Sequence, residues 1–168
     1  MRCRDRRSGN AVMISLMTSM LLGFGALAVD VGVMRVTQTE LSVAADAAAH
    51  GGVAYLRRHP GSFAGDISIA RAKAVSIAAM NSAAGIPVTL DPNAANLPDG
   101  DIVVGWYDHT TGIFTPTADP SISNALRVKA RMMGLGTIFA PAAFGVTSFS
   151  TGASAIAVRG KPAGAGKV

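Results

Sequence analysis

No charged side chain occurs in AVMISLMTSMLLGFGALAV, residues 11–29 of the chain. Folded as a helix at ~1.5 Å per residue, this run spans about 28 Å. The hydrocarbon core of a bilayer is ~30 Å thick, so the run is long enough to cross it. The sequence therefore predicts a transmembrane anchor over residues 11–30.

The residues before the anchor are basic and indicate its orientation. Residues 1–10 contain four arginines and one aspartate, a net charge of +3. Because basic flanks stay on the cytoplasmic side, we predict a cytoplasmic leader over 1–10 and an exported domain over 31–158. The chain is predicted to cross the membrane once, with its bulk on the side opposite to the leader. The polar residues 159–168 are predicted to be a disordered tail.

The fate of the anchor has two interpretations. It is either a retained signal anchor or a signal peptide cleaved after Ala28, where Ala26-Leu27-Ala28 has the small-x-small pattern of a cleavage site. Retention is favoured, because the apolar run exceeds the ~7–15 residues of a usual signal core. A prepilin-type leader ending at Gly9 is disfavoured, since Ile14 stands where such leaders have a glutamate.

Composition excludes several classes of protein. Charged residues make up 15% of the 168 residues, and mean hydropathy is +0.37. Intrinsically disordered chains are far more polar and charged. The single cysteine, Cys3, excludes an internal disulfide. Beyond the leader the chain has 11 basic and 9 acidic residues, which gives no basic surface for a nucleic acid.

Small residues recur on one face of the anchor. Ser15, Ser19 and Gly23 lie four apart, a pattern that lets membrane helices approach closely. The alternative is that they reflect only the ordinary composition of signal segments. Asp30 ends the anchor, either as a solvated boundary acid or as a polar contact to a partner helix.

Two helices are predicted after the anchor. Residues 31–57 continue the first helix, with one stripe at helical spacing formed by Leu41, Ala45, Ala48, Gly52 and Tyr55. Asp46, His50 and Arg57 lie on the opposite face. Small side chains in the stripe favour close packing against a sheet or another helix. A second helix is predicted over 66–84, with Gly85 as its stop.

The rest of the chain predicts an antiparallel sheet. Strands are expected at 86–90, 102–107, 113–115, 126–132 and 147–158, with a hairpin turn at 108–112. The side chains expected to face the core are Val104, Trp106, Leu126, Val128 and Ala130. Arg127, Lys129 and Arg131 are expected to form a solvated face. Residues 134–145 are predicted to be a short helix or a loop against the core or the membrane surface. The fold class is α+β and pilin-like, with a long transmembrane and stalk helix and a second helix packed on the sheet.

Catalytic and ligand-binding motifs are absent from the sequence. The three histidines, His50, His59 and His109, lack metal-ligand spacing. Residues 119–123 fit the Asp-x-Ser-x-Ser pattern of metal-dependent adhesion sites. The strand and helix that such a site needs are not predicted around them, so we interpret the match as chance. No catalytic residue, cofactor, metal or small-molecule substrate is predicted.

Several stretches in a fixed order carry a family resemblance. They are residues 9–12, 27–32, Leu41 with 44–49, 104–108, 124–128, 139–145 and 153–157. The most specific features are the Ala-Asp-Ala-Ala-Ala core at 45–49 and the spacing of about ten residues that separates the 27–32 stretch from Leu41 and 44–49. Over residues 6–158 the chain resembles the TadE/TadG-like proteins of the Tad (Flp) pilus-assembly system.

The resemblance implies a non-enzymatic structural or assembly component of a Tad/Flp-type pilus or secretion apparatus. It implies a location in the bacterial inner membrane, crossed once, with the domain over 31–158 in the periplasm. The implied partners are other pilus-assembly or pseudopilin subunits, contacted through the N-terminal helix. Candidate interface residues on that helix are Ser15, Ser19, Gly23, Asp30, Leu41, Ala45 and Ala48. TadG-like chains often carry a von Willebrand-type domain after this region, and none is expected here. If the signal is instead cleaved after Ala28, the alternative is a secreted or periplasmic binding protein.

Overall fold

A computed structural model describes residues 7–56 and 63–159. Its elements are α1 (Arg7–Val53), α2 (Phe63–Ala79), β1 (Ser82–Ala83), β2 (Ile86–Pro87), β3 (Ile102–Tyr107), β4 (Phe114–Pro116), β5 (Ala125–Gly136), α3 (Ala140–Phe144) and β6 (Ser148–Val158). The predicted α+β class, with a long apolar first helix, a second helix and antiparallel pairing, is confirmed. Four features of the sequence analysis lie outside the described residues: the predicted leader up to residue 6, Arg57, His59 and the predicted tail beyond Arg159.

The described residues divide into two compact units. The first unit contains the chain up to Arg35 together with Met133–Ser150. The second contains Val36–Met132 and the chain from Thr151 onward. Each unit is therefore built from two separate stretches of the sequence.

The small stripe of α1 forms part of the core of the second unit. Leu41, Ala45 and Ala48 are fully buried, whereas His50 is exposed, so the predicted buried face is confirmed. At Gly52 the helices approach closely: a Cβ placed there would lie 3.0 Å from the Ala70 carbonyl oxygen. Such an approach of α1 and α2 needs a residue without a side chain. The stripe ends at Gly52, because α1 ends at Val53 and Tyr55 is exposed.

The four-stranded sheet has the order β4-β3-β5-β6. Strand β3 is antiparallel to both β4 and β5, with Val104 opposite Leu126 and Ile102 opposite Val128. These four side chains are fully buried, as is Ala130. The alternation of hydrophobic residues over 126–132 thus correctly predicts the buried face of β5.

The prediction that Trp106 faces the core is wrong, because its side chain is 38% exposed. The pairing of β3 with β5 ends at Gly105, opposite Ala125. Trp106 is opposite Thr115 on β4. Trp106 therefore lies beyond the end of the pairing with β5, on the same face of β3 as Ile102 and Val104 but outside the core.

The second helix begins and ends earlier than predicted, at Phe63 and Ala79. Asn81 ends it, because its side-chain amide donates to the Ile77 carbonyl at 2.9 Å and competes with the next helical turn. Ala84 and Gly85, with φ of 49° and 76°, then form the two-residue turn between β1 and β2. The predicted helix stop at Gly85 is therefore wrong, and the predicted strand over 86–90 is reduced to Ile86–Pro87.

The loop over residues 91–101 contacts the cationic face of β5. The predicted solvated face is therefore wrong for Arg127 and Lys129, which are half-buried, whereas Arg131 is exposed as predicted. Arg127 donates to the Pro98 carbonyl. Arg131 forms an ion pair with Asp101 at 2.9 Å. The loop is itself fixed to β3 by Asn96, whose amide accepts from the Val104 N–H at 2.8 Å and donates to the Val104 carbonyl at 3.0 Å.

Candidate helix interface

The first half of α1 exposes apolar side chains on all of its faces. Between residues 10 and 29 only Gly23 and Ala26 are half-buried, and the rest are exposed. By length and composition, the helical segment Asn10–Val53 is able to cross a membrane. A helix that is apolar all round belongs in a large core or in lipid. In the described chain no other element buries this surface.

The face formed by Ser15, Ser19 and Gly23 carries only small side chains, and the Ser19 hydroxyl bonds within the helix. The Ser19 hydroxyl donates to the Ser15 carbonyl at 2.9 Å. A Cβ at Gly23 would meet no atom within 4 Å in the described structure. Because the Ser19 hydroxyl already has a partner in its own helix, Ser19 can enter an apolar environment without leaving its own donor unpaired.

Asp30 is buried, with 6% of its surface exposed. One carboxylate oxygen, Oδ1, accepts from the Ile138 N–H at 2.9 Å and the Phe139 N–H at 3.3 Å. The other, Oδ2, accepts from the Phe139 N–H at 3.1 Å and the Ala140 N–H at 2.6 Å. The interpretation of Asp30 as a solvated boundary acid is therefore wrong. Its polar contact is with the same chain, inside the first unit.

Asp30 accepts hydrogen bonds from three N–H groups that lie at the start of α3. The first N–H groups of a helix have no partner in the helix itself, and a carboxylate is the acceptor that best satisfies them. At the other end Gly145, with φ of 69°, donates its N–H to the Pro141 carbonyl at 3.2 Å. The Thr137 hydroxyl donates to the Val146 carbonyl at 2.6 Å. We call residues 137–147 the capped segment.

The seven candidate interface residues belong to two groups. Ser15, Ser19, Gly23 and Asp30 lie in the first unit, and Leu41, Ala45 and Ala48 lie in the second. The last three are fully buried in the core of their own chain. Of the seven, only Ser15 and Ser19 are fully exposed in the described structure. The role of the Asp30 carboxylate as acceptor for the N–H groups of 138–140 was not predicted, since Asp30 is 108 residues away from Ile138 in sequence.

The Asp-x-Ser-x-Ser stretch forms a self-contained loop. The Asp119 carboxylate accepts from the hydroxyl of Ser121 at 2.6 Å and from its N–H at 2.9 Å, and both bonds lower the pKa of Asp119. The Ser123 hydroxyl donates to the Asp119 carbonyl at 2.7 Å. Among the residues that the structure describes, no three His, Cys, Asp or Glu side chains come close enough to hold a metal ion.

Comparison with known proteins finds a family model that matches the part of the chain containing α1. Residues 9–55 match the model of the Flp pilus-assembly TadE/G-like family. No curated protein matches the chain, and no solved structure does. The match covers nearly all of α1 and includes all seven candidate interface residues. The resemblance to TadE/TadG-like proteins is thus confirmed for this helix, and the chain carries a TadE/G-like Flp pilus-assembly segment.

Proposed function

We propose that the protein is a non-enzymatic, membrane-anchored structural or assembly component of a Tad/Flp-type pilus or secretion apparatus. The observation that carries the proposal is the exposed apolar half of α1, which lies inside the family match. In water, some twenty residues of exposed apolar helix would aggregate, whereas in lipid they need no other partner. The proposed partners are other pilus-assembly subunits that contact this helix in the membrane.

Retention of the anchor is part of the proposal. Helix α1 runs without interruption from Arg7 to Val53, through the small residues at 26–28. An unbroken helix through this stretch favours a chain that keeps its anchor over a secreted binding protein released after Ala28.

Labelling tests the proposed topology. In a Cys3→Ser background, Ala118→Cys introduces a thiol at an exposed position of the second unit. We expect a membrane-impermeant maleimide to label it from the periplasmic side of intact cells, in protein that sediments with membranes. The buried Ser123→Cys is the control, and it should react only after denaturation. Soluble periplasmic protein whose mass begins at Val29 would instead establish the secreted alternative.

Substitutions at Ser19 test the proposed helix contact. Ser19→Leu should weaken association of the full chain with its partners and reduce the number of pili, because added bulk separates closely packed backbones. Ser19→Ala should preserve both, since the hydroxyl bonds only the Ser15 carbonyl in this structure. The measurements are crosslinking in native membranes and pilus counts by electron microscopy.

Gly25→Leu provides a matched control for Ser19→Leu. Gly25 lies on a different face of α1, and a Cβ there meets nothing within 4 Å. We expect normal association and normal pili from this variant. An equal loss from both leucine substitutions would show that the Ser15, Ser19 and Gly23 face is not the interface.

A further inference from the structure

Large apolar side chains are exposed on the capped segment and on the part of β5 that precedes it. Met133 is 81% exposed and Ile138 is 61% exposed, and Phe139 and Val146 are also exposed. The sequence contains no charged residue between positions 132 and 158. Soluble surfaces of this extent normally intersperse charged side chains among the apolar ones.

Asp30 places this apolar surface at one end of the anchor. It follows Val29 directly, and Val29 is the last residue of the uncharged run. The bonds from Asp30 to the N–H groups of 138–140 therefore hold the capped segment where the apolar part of α1 ends. All of these residues belong to the first unit.

The N–H groups at the start of the capped segment have partners within the chain, as a medium poor in water requires. Near hydrocarbon, each backbone N–H without a partner costs several kcal/mol. Here the N–H groups at 138–140 have the Asp30 carboxylate, and the other end of α3 has the Gly145 N–H on the Pro141 carbonyl. Pro141, in the first turn of α3, has no N–H to satisfy. The charge of Asp30 is itself buried beneath the segment.

We propose that the capped segment inserts into the interfacial layer of the bilayer that α1 crosses, as a second membrane contact beside the anchor. The proposal rests on the membrane anchoring proposed above. Ile138, Phe139 and Val146 enter the boundary between headgroups and acyl chains, where apolar faces of interfacial helices insert by ~5–10 Å. A protein partner is the less favoured occupant, because protein interfaces have polar rims and this surface has no charged group.

Depth-dependent fluorescence quenching tests the proposal on the full chain. An environment-sensitive fluorophore is attached to Ile138→Cys or to Val146→Cys, each in a Cys3→Ser background. The protein is reconstituted into vesicles of phosphatidylethanolamine and phosphatidylglycerol. Nitroxide-labelled lipid is expected to quench both reporters several-fold more strongly than a reporter at Ala118→Cys. Aqueous iodide should quench them several-fold less.

A reporter at Gly23→Cys separates this proposal from the anchoring on which it rests. If lipid nitroxide fails to quench residue 23, the anchor itself is absent from the bilayer. If residue 23 is quenched but residues 138 and 146 respond to iodide as residue 118 does, only the second contact is overturned. Reporters shielded from both quenchers would overturn it in favour of a protein that covers the segment.

The matched variant Asp30→Asn tests the role of the carboxylate in placing the segment. It should lower lipid quenching at residue 138 several-fold while leaving quenching at residue 23 unchanged. Undiminished quenching at 138 would show that the segment reaches lipid without Asp30 and would overturn the proposed positioning.

Discussion

Gly52→Ala is expected to destabilise the second unit by about 1–3 kcal/mol, the usual cost of overpacking a close-packed core. The new Cβ would lie 3.0 Å from the Ala70 carbonyl oxygen and 3.1 Å from the Ala74 Cβ, and would also collide with the Leu126 side chain. Neither the backbone of α2 nor a methyl group can rotate away. The loss is expected even though alanine is the better helix former by ~1 kcal/mol.

Gly51→Ala is the matched control, one residue earlier in the same helix. The three atoms nearest to its Cβ would all belong to the Ile77 side chain, whose terminal methyl can move to another rotamer. We expect this variant to be as stable as the parent or more stable by up to ~1 kcal/mol. Thermal unfolding of the full chain in detergent, followed by circular dichroism, measures both. Equal midpoints for the two variants would show that α1 and α2 do not meet at Gly52.

Asp30→Ala should release the capped segment from α1. The substitution removes the Asp30 acceptor of the N–H groups of 138–140, and a buried donor such as the Ala140 N–H costs ~1–3 kcal/mol when it loses its partner. Hydrogen exchange on the full chain in detergent should show these three amides exchanging orders of magnitude faster. Amides in β3 should keep their protection, because that strand belongs to the second unit.

Asp30→Asn should produce a smaller loss than Asp30→Ala. The amide keeps one acceptor oxygen but turns an NH₂ group toward backbone N–H groups that also donate. Asp46→Asn is the control for the loss of a carboxylate on the same helix. Asp46 is exposed, and we expect no change in exchange. If both asparagine variants left residues 138–140 protected, the carboxylate of Asp30 would not be their acceptor in solution.

Local patterns predicted the parts of the fold that depend on local sequence. The uncharged run predicted the first part of α1. The spacing of Leu41, Ala45 and Ala48 predicted the buried face of that helix. The bounds of β3 were predicted correctly, since the strand is apolar throughout and is followed by the turn over residues 108–112. The buried face of β5 followed from its alternation.

Contacts between distant residues were not predictable from those patterns. The cationic face of β5 looks solvated in sequence, because nothing local shows that the 91–101 loop returns over it. Trp106 lies on the same face of β3 as Ile102 and Val104, but its exposure depends on where β5 ends. The partners of Asp30 are N–H groups, which every residue except proline has, so no side-chain pattern marks them.

The contact between Asp30 and the capped segment also depends on the order of synthesis. Ribosomes add ~5–20 residues per second, so the 108 residues between Asp30 and Ile138 take roughly 5–20 s to appear. During that interval the apolar part of α1 is complete, but the three N–H groups from which Asp30 accepts hydrogen bonds do not yet exist. The contact can form once the chain has been made through β5 to Ala140, before β6 is made. A chain stalled before residue 138 would lack all three of these partners for Asp30, which distinguishes it from a finished molecule.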